Sequence, residues 1–296
     1  MRIGIAGTGK MGSAIARRLA TFGHQLSVWN RTREKAEPLL KEGMAWAATP
    51  RELARDCDVV ISLLTNEKAL EEVYSGADGL FSPEARGKLF LEMSTVPPAR
   101  QQEMARRAAA VGVRYLECPV GGSVGPAKEG KLIAFVGGDA QDVERARPLL
   151  EQLCKRIEHV GTHGAGETMK LAVNLPLMVY WQTLGEALSL VQPLGLDPQR
   201  VIEILADSSG GPNMLKVRGP MIAQALAGGK SNAVTVELAT MRKDVGAMID
   251  EARSRGRKLP LAEETLRNFE RAAASGLDSA DCSQLPVWWL AEGGKA

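Results

Sequence analysis

Aromatic residues make up only 4% of this 296-residue chain, and histidine occurs three times, at His24, His159 and His163. Those histidines stand in no spacing that would let them share a metal ion, so each is expected at the surface or in a turn. Cysteine is nearly as scarce. Cys57, Cys118, Cys154 and Cys282 lie far apart with no Cys-x-x-Cys pair, which argues against a zinc site and fits buried thiols in a reducing cytosol. A net charge of +2 gives no reason to expect nucleic acid as a partner, and no basic run is interleaved with aromatics. The longest apolar stretch without charge, residues 171–185, is too short for a membrane span and contains Asn174, Pro176 and Gln182. Strand-like sequence begins almost at the first residue, so no signal or transit peptide is expected ahead of the fold. The expectation is a soluble, cytoplasmic protein that contacts neither membrane nor nucleic acid.

What is present is a core and a loop. Hydrophobic residues form 45% of the chain, enough for a sizeable interior, and the length favours two domains over one. Near the start stands Gly7-Thr8-Gly9-Lys10-Met11-Gly12, after the apolar run Ile3-Gly4-Ile5-Ala6 and before an amphipathic stretch from Ser13 to Ala20. Strand, glycine turn and helix in that order form a dinucleotide-binding fingerprint. The first glycine permits the tight turn, the second lets the backbone approach a pyrophosphate, and the third lets helix and strand pack closely. The helix N-terminus offers its dipole to the phosphates.

The second strand, Leu26 to Trp29, indicates which dinucleotide. NAD-specific sites place a carboxylate at its end for the ribose 2′-hydroxyl. Here Asn30-Arg31-Thr32-Arg33 follows instead. A carboxylate would repel a 2′-phosphate, whereas a guanidinium and a hydroxyl bind one, so Asn30, Arg31 and Thr32 point to NADP(H). Arg33 is equally well explained as a solvated loop residue.

Up to about residue 160, short apolar strands alternate with helices, as parallel crossovers require. Strands are expected at 59–63, 88–91, 114–116, 132–136 and 155–158, and helices around 33–42, 51–56, 67–74, 98–111 and 140–153. Beyond Gly161 the strand signals stop. A helix from about Glu167 to Gln192 would be roughly 40 Å long, enough to link two lobes, with a kink expected at Pro176. Another is expected from about Thr235 to Arg255. The fold class is therefore α/β: a Rossmann domain over 1–162 and an all-helical domain over 163–296.

Lys170 and Asn174 are one turn apart on the long helix and share a face. Apolar neighbours would strip the lysine of hydration and lower its pKa toward values useful for proton transfer. Taken alone, such a pair is more simply a helix-surface feature. A second candidate is the run from Pro119 to Ala127, whose consecutive glycines expose N–H groups able to cradle a carboxylate, with the Ser123 hydroxyl beside them. The bland alternative is a glycine-rich connection. Met93-Ser94-Thr95 ends a strand where open α/β sheets bind ligands, although Ser94 or Thr95 is also placed to cap the next helix.

Taken in order, these segments resemble the β-hydroxyacid dehydrogenase family over nearly the whole chain. The resemblance rests on Gly7 to Gly12, Met93-Ser94-Thr95, and Pro119 to Ser123 with Ala127, Gly130 and Leu132. Gly164-Ala165-Gly166 leading to Lys170 and Asn174, then Lys243-Asp244-Val245, complete it. It implies a Rossmann domain, a long interdomain helix and a helical C-terminal domain. It also implies Lys170 as catalytic acid/base, Gly122, Ser123 and Asn174 at the substrate, and Thr95 and Lys243 near the nicotinamide. Leu64 joins the cofactor-binding set. The activity implied is hydride transfer between NADP(H) and a β-hydroxyacid or aldehyde acid, in a homodimer or homotetramer, with no metal.

Three positions depart from the family pattern. Gly121 stands where a serine is usual, Val173 where the first of two asparagines is usual, and Val236 where many relatives carry phenylalanine. If that last correspondence holds, the pocket is roomier and the substrate bulkier than the smallest acids. Two other readings stay open. An imine reductase shares the architecture but generally lacks a lysine at the position of Lys170. A non-catalytic NADP(H)-binding sensor would not need the glycine, lysine and asparagine positions that this chain retains.

Overall fold

The computed structural model describes residues 1–229 and 234–295. The chain divides into two compact units, Met1–Lys170 and Leu171–Ala296.

In the first unit, nine strands among the described residues form one sheet. They are β1 Arg2–Ala6, β2 Gln25–Trp29, β3 Ala45–Trp46, β4 Val59–Ser62, β5 Leu89–Glu92, β6 Arg114–Glu117, β7 Val120–Gly121, β8 Leu132–Gly137 and β9 Cys154–Gly161. Their order is β3-β2-β1-β4-β5-β6-β8-β7, with β9 also paired to β8. The first six run parallel. Strand β8 is antiparallel to both β6 and β7, so the sheet reverses where parallel crossovers were expected. Helices α1 Lys10–Ala20, α2 Glu37–Lys41, α3 Pro50–Asp56, α4 Glu67–Ser75, α5 Pro98–Ala110, α6 Val124–Glu129 and α7 Ala140–Leu150 fill the connections.

The central strands β1, β4, β5 and β6 are buried on both faces, as a sheet covered on two sides requires. Ile3 and Ile5 of β1 and Leu89 and Leu91 of β5 join one core, whereas Val60 and Phe90 join Tyr74 and Tyr115 in the other. The helix expected around 33–42 is broken into a 3₁₀ turn, Arg33–Lys35, and α2. Pro38 has no N–H to donate into a preceding turn and stands in the first turn of α2, where none is needed, so the break falls just before it.

Helix α8, Ala165–Val191, runs for 27 residues with Pro176 inside it. In the second unit, Leu171, Met178, Trp181, Leu184 and Leu188 recur at helical spacing and enter a common core. Around them lie α9 Pro198–Asp207, α10 Asn213–Leu226, α11 Leu238–Ser254, α12 Pro260–Ala272 and α13 Gln284–Trp288. No helix among the described residues is long and apolar enough to cross a membrane.

Candidate active site

The glycine loop joins β1 to α1, and its three glycines do three different things. Gly7 has φ +100, and a Cβ there would lie 2.2 Å from the Leu63 carbonyl oxygen. A Cβ on Gly12 would lie 1.9 Å from the Gly7 oxygen. These two are glycine because turn and helix close onto the sheet. At Gly9 a Cβ would meet nothing within 4 Å. Helix α1 starts at Lys10 with no side-chain cap and no acidic residue in its first turn, leaving the positive end of its dipole uncompensated. The Thr8 hydroxyl is buried there without a hydrogen-bond partner. Open backbone, a helix dipole and an orphaned donor fit the phosphates of a dinucleotide.

Of the other residues expected at the cofactor, Asn30, Leu64 and Thr95 follow the neighbouring parallel strands β2, β4 and β5, at the same end of the sheet as the glycine loop. Asn30, at the end of β2, accepts from the Thr8 N–H through Oδ1 at 3.1 Å and donates from Nδ2 to the Thr32 carbonyl at 2.8 Å. Its side chain thereby ties the glycine loop to the 30–32 turn. Arg31 is exposed, with its guanidinium 4.0 Å from Glu72. Arg33 lies over the ring of Trp46, 5.3 Å from its centroid. Leu64 donates its N–H to Ser94 Oγ at 2.6 Å, and the Ser94 N–H donates to Glu92 at 2.7 Å. Ser94 therefore joins two strand-end loops, and the N-cap position of α5 is held by Pro97, which has no side-chain donor or acceptor to offer.

Gly122 and Ser123 follow β7 in an exposed position, and the Ser123 side chain does not cap α6. Gly122 has φ +123. Lys170 lies in the second turn of α8 and is only 8% exposed. Asn174, half-buried, follows one turn later. In the second unit, Lys243 is exposed on α11 with its Nζ 3.2 Å from Asp244. The Val236 N–H donates to Asp281 at 3.2 Å.

Three functional-looking residues had no expectation attached. Glu92, Glu117 and Glu167 are all fully buried in the first unit. Burial pushes the Glu117 carboxyl up to about 7 against the N–H groups of Gly164, Gly166 and Glu167 that favour its charge. It drives Glu167 well above the usual carboxylate range and raises Glu92 as well. The available signal was a lone acid closing each of two apolar strands, Leu89-Phe90-Leu91-Glu92 and Tyr115-Leu116-Glu117.

A Rossmann-type unit with a phosphate-ready glycine loop, joined in sequence to a helical unit, defines a nicotinamide-dependent oxidoreductase, and comparison with known proteins narrows the class. Residues 2–161 match the NAD-binding domain of 6-phosphogluconate dehydrogenase, and 164–288 match the NAD-binding domain of NADP-dependent 3-hydroxyisobutyrate dehydrogenase. The chain is 35% identical over 292 residues to 3-hydroxyisobutyrate dehydrogenase of Pseudomonas aeruginosa, covering 96% of this chain and 97% of the relative. A solved 3-hydroxyisobutyrate dehydrogenase from Salmonella typhimurium superposes with a TM-score of 0.88 at 25% identity, covering 97% of this chain and 99% of that one. Psf3 in complex with NADP+ and 2-OPP gives 0.85 at 28% identity, with 96% and 99% covered. The chain belongs to the β-hydroxyacid dehydrogenase family, whose members are NAD(P)-dependent oxidoreductases acting on the CH–OH group of hydroxyacids.

Proposed function

We propose that the protein is an NADP(H)-dependent reductase/dehydrogenase of aldehyde acids and β-hydroxyacids, with Lys170 as its general acid/base. The observation that carries this reading is a lysine only 8% exposed, one turn into α8, in a unit whose first strand ends in a phosphate-ready loop. In the division of labour proposed, residues 1–162 hold the cofactor and 163–296 serve substrate binding and assembly.

The glycine loop from Gly7 to Gly12, with Leu64 and Thr95, would hold the dinucleotide, and Lys243 would approach its nicotinamide half. When bound, that cofactor supplies or accepts the hydride. Arg31 and Thr32, both exposed, are suited to a 2′-phosphate, while Asn30 holds the loop that presents them. Lys170 donates a proton as negative charge builds on the carbonyl oxygen, and takes it back in the oxidising direction. The N–H groups around Gly122 and Ser123 hold the substrate carboxylate, and Asn174 orients the reacting oxygen without adding charge. Val236, standing where many relatives carry phenylalanine, leaves room for a substrate larger than glyoxylate, while Gly121 and Val173 each take a polar group away from the site.

The test follows NADPH and NADH consumption against glyoxylate, longer aldehyde acids and bulkier analogues. Expected are preference for NADPH and the highest kcat/KM on the longer acids; best efficiency on glyoxylate removes the size argument. Lys170→Ala should lower turnover roughly 10²–10⁴-fold with NADPH affinity nearly intact. Undiminished turnover in that variant overturns the assignment.

A further inference from the structure

Helix α8 is preceded by Gly164, which has no side chain with which to cap it. The cap arrives from elsewhere in the sheet. Glu117, at the end of β6, accepts from the Gly166 N–H through Oε1 at 2.6 Å. Space for that carboxyl is made by two missing side chains. A Cβ on Gly137 would lie 2.1 Å from the same Glu117 oxygen, and one on Gly166 would lie 3.0 Å from it. The next residue of the helix, Glu167, provides a second tie. Its Oε1 accepts from Gln101 Nε2 at 3.0 Å and from the Val96 N–H at 3.4 Å, reaching α5 and the segment just after Thr95. Gln101 in turn accepts from the Tyr115 hydroxyl at 2.5 Å. The first turn of α8 is thus fastened to β6 on one side and to the 93–97 segment on the other.

Stability alone does not explain these residues. Both carboxyls are fully buried, and each leaves its Oε2 without a hydrogen-bond partner. A half-satisfied buried carboxyl is a worse choice for a core than an apolar side chain of the same shape. Their burial also raises both groups above the usual carboxylate range. Such departures from local good practice are expected where a site must be held in one geometry. What the pair holds is close at hand: Gly166 and Glu167 stand four and three residues before Lys170, on the same helical face.

We propose that Glu117 and Glu167 are positioning residues for Lys170: together they fix the rotation and depth of the first turn of α8, and with it the direction of the lysine ammonium. The inference rests on the reading of Lys170 as acid/base given above. Misplacing a reacting group by about 1 Å lowers turnover on the order of 100-fold.

The test compares Glu117→Met, which keeps length and apolar fit but removes the acceptor, with Glu117→Gln, which retains one for the Gly166 N–H. Glu117→Met should lower kcat roughly 10- to 100-fold while KM and the Kd for NADPH stay within about threefold, and Glu117→Gln should recover most of that loss. In the Lys170→Ala background, Glu117→Met should subtract nothing further, because its effect passes through the lysine. If Glu117→Met does not fold, Glu167→Met carries the same comparison through the tie to Val96. A folded Met variant with full kcat, or one equally damaging with and without Lys170, overturns the inference. An inactive Lys170→Ala beside a silent Glu117→Met removes this inference alone, whereas an active Lys170→Ala removes the reading beneath it.

Discussion

In the sheet-bearing unit, Glu92, Glu117 and Glu167 are fully buried and all three carboxyls are pushed upward, Glu117 to about 7. In the helical unit, Asp281 is almost as buried, at 6% exposure, yet its carboxyl is held down at about 2. Burial opposes ionisation in both units, so the difference lies in the donors. Asp281 accepts from the Thr235 N–H at 2.5 Å, the Thr235 hydroxyl at 2.6 Å, the Val236 N–H at 3.2 Å and the Ser283 N–H at 2.9 Å. Those bonds outweigh its desolvation. Glu117 takes one close hydrogen bond, from the Gly166 N–H to Oε1 at 2.6 Å, and its Oε2 has no partner. One carboxylate is a knot that holds its unit together, whereas the glutamates are retained against their own solvation.

The largest expected effect tests the knot. Asp281→Ala leaves the donors of Thr235, Val236 and Ser283 without an acceptor and should lower unfolding stability by roughly 3 kcal/mol, read from denaturant midpoints at neutral pH. A change below about 1 kcal/mol would mean that water or neighbouring groups replace the aspartate readily. The second test concerns the slope of stability with pH. The folded pKa of Glu117 lies above its unfolded value of 4.5, so its favourable contribution is complete below 4.5 and is lost as pH rises through about 7. Glu117→Gln should therefore flatten the decline between pH 5 and 8 by on the order of 2–3 kcal/mol, with Glu92 and Glu167 keeping their own slopes. Identical slopes in the two proteins would show that the carboxyl is better solvated than its position indicates. The smallest effect has the opposite sign. Asp281 has a depressed folded pKa, so its stabilisation is present above its unfolded value of 3.8 and is lost as pH falls through about 2. Acid titration of wild type against Asp281→Asn should differ by about 2 kcal/mol or less across that window. Parallel acid limbs would erase the contrast between the units.

Much of this was legible where backbone geometry forces residue identity. Gly7 and Gly12 have no alternative once the helix packs against the sheet, and the alternation of Leu89, Phe90 and Leu91 specifies a strand with two buried faces. Legibility failed where short elements sit in turn-rich sequence. Strand β3 is two residues long, and β7 and the start of α6 lie within the glycine-rich run from Pro119 to Ala127, which reads as a connection. The reversal at β8 was hidden because strand direction depends on pairing, which local pattern does not encode. Asn30 was read for the ligand, and its bonds to Thr8 and Thr32 became visible only in three dimensions. The buried glutamates were passed over because an acid at a strand end ordinarily reaches water.

Gly9 has a consequence for how the chain spends conformational freedom. Its φ of −67 lies where any L-residue is comfortable, and its missing side chain would touch nothing within 4 Å. A larger residue there would restrict the unfolded chain and raise stability by about 0.4–1 kcal/mol. The fold itself has no need of glycine at that position. In the function proposed above, the stability given up at Gly9 leaves the backbone bare where the pyrophosphate of the dinucleotide would lie.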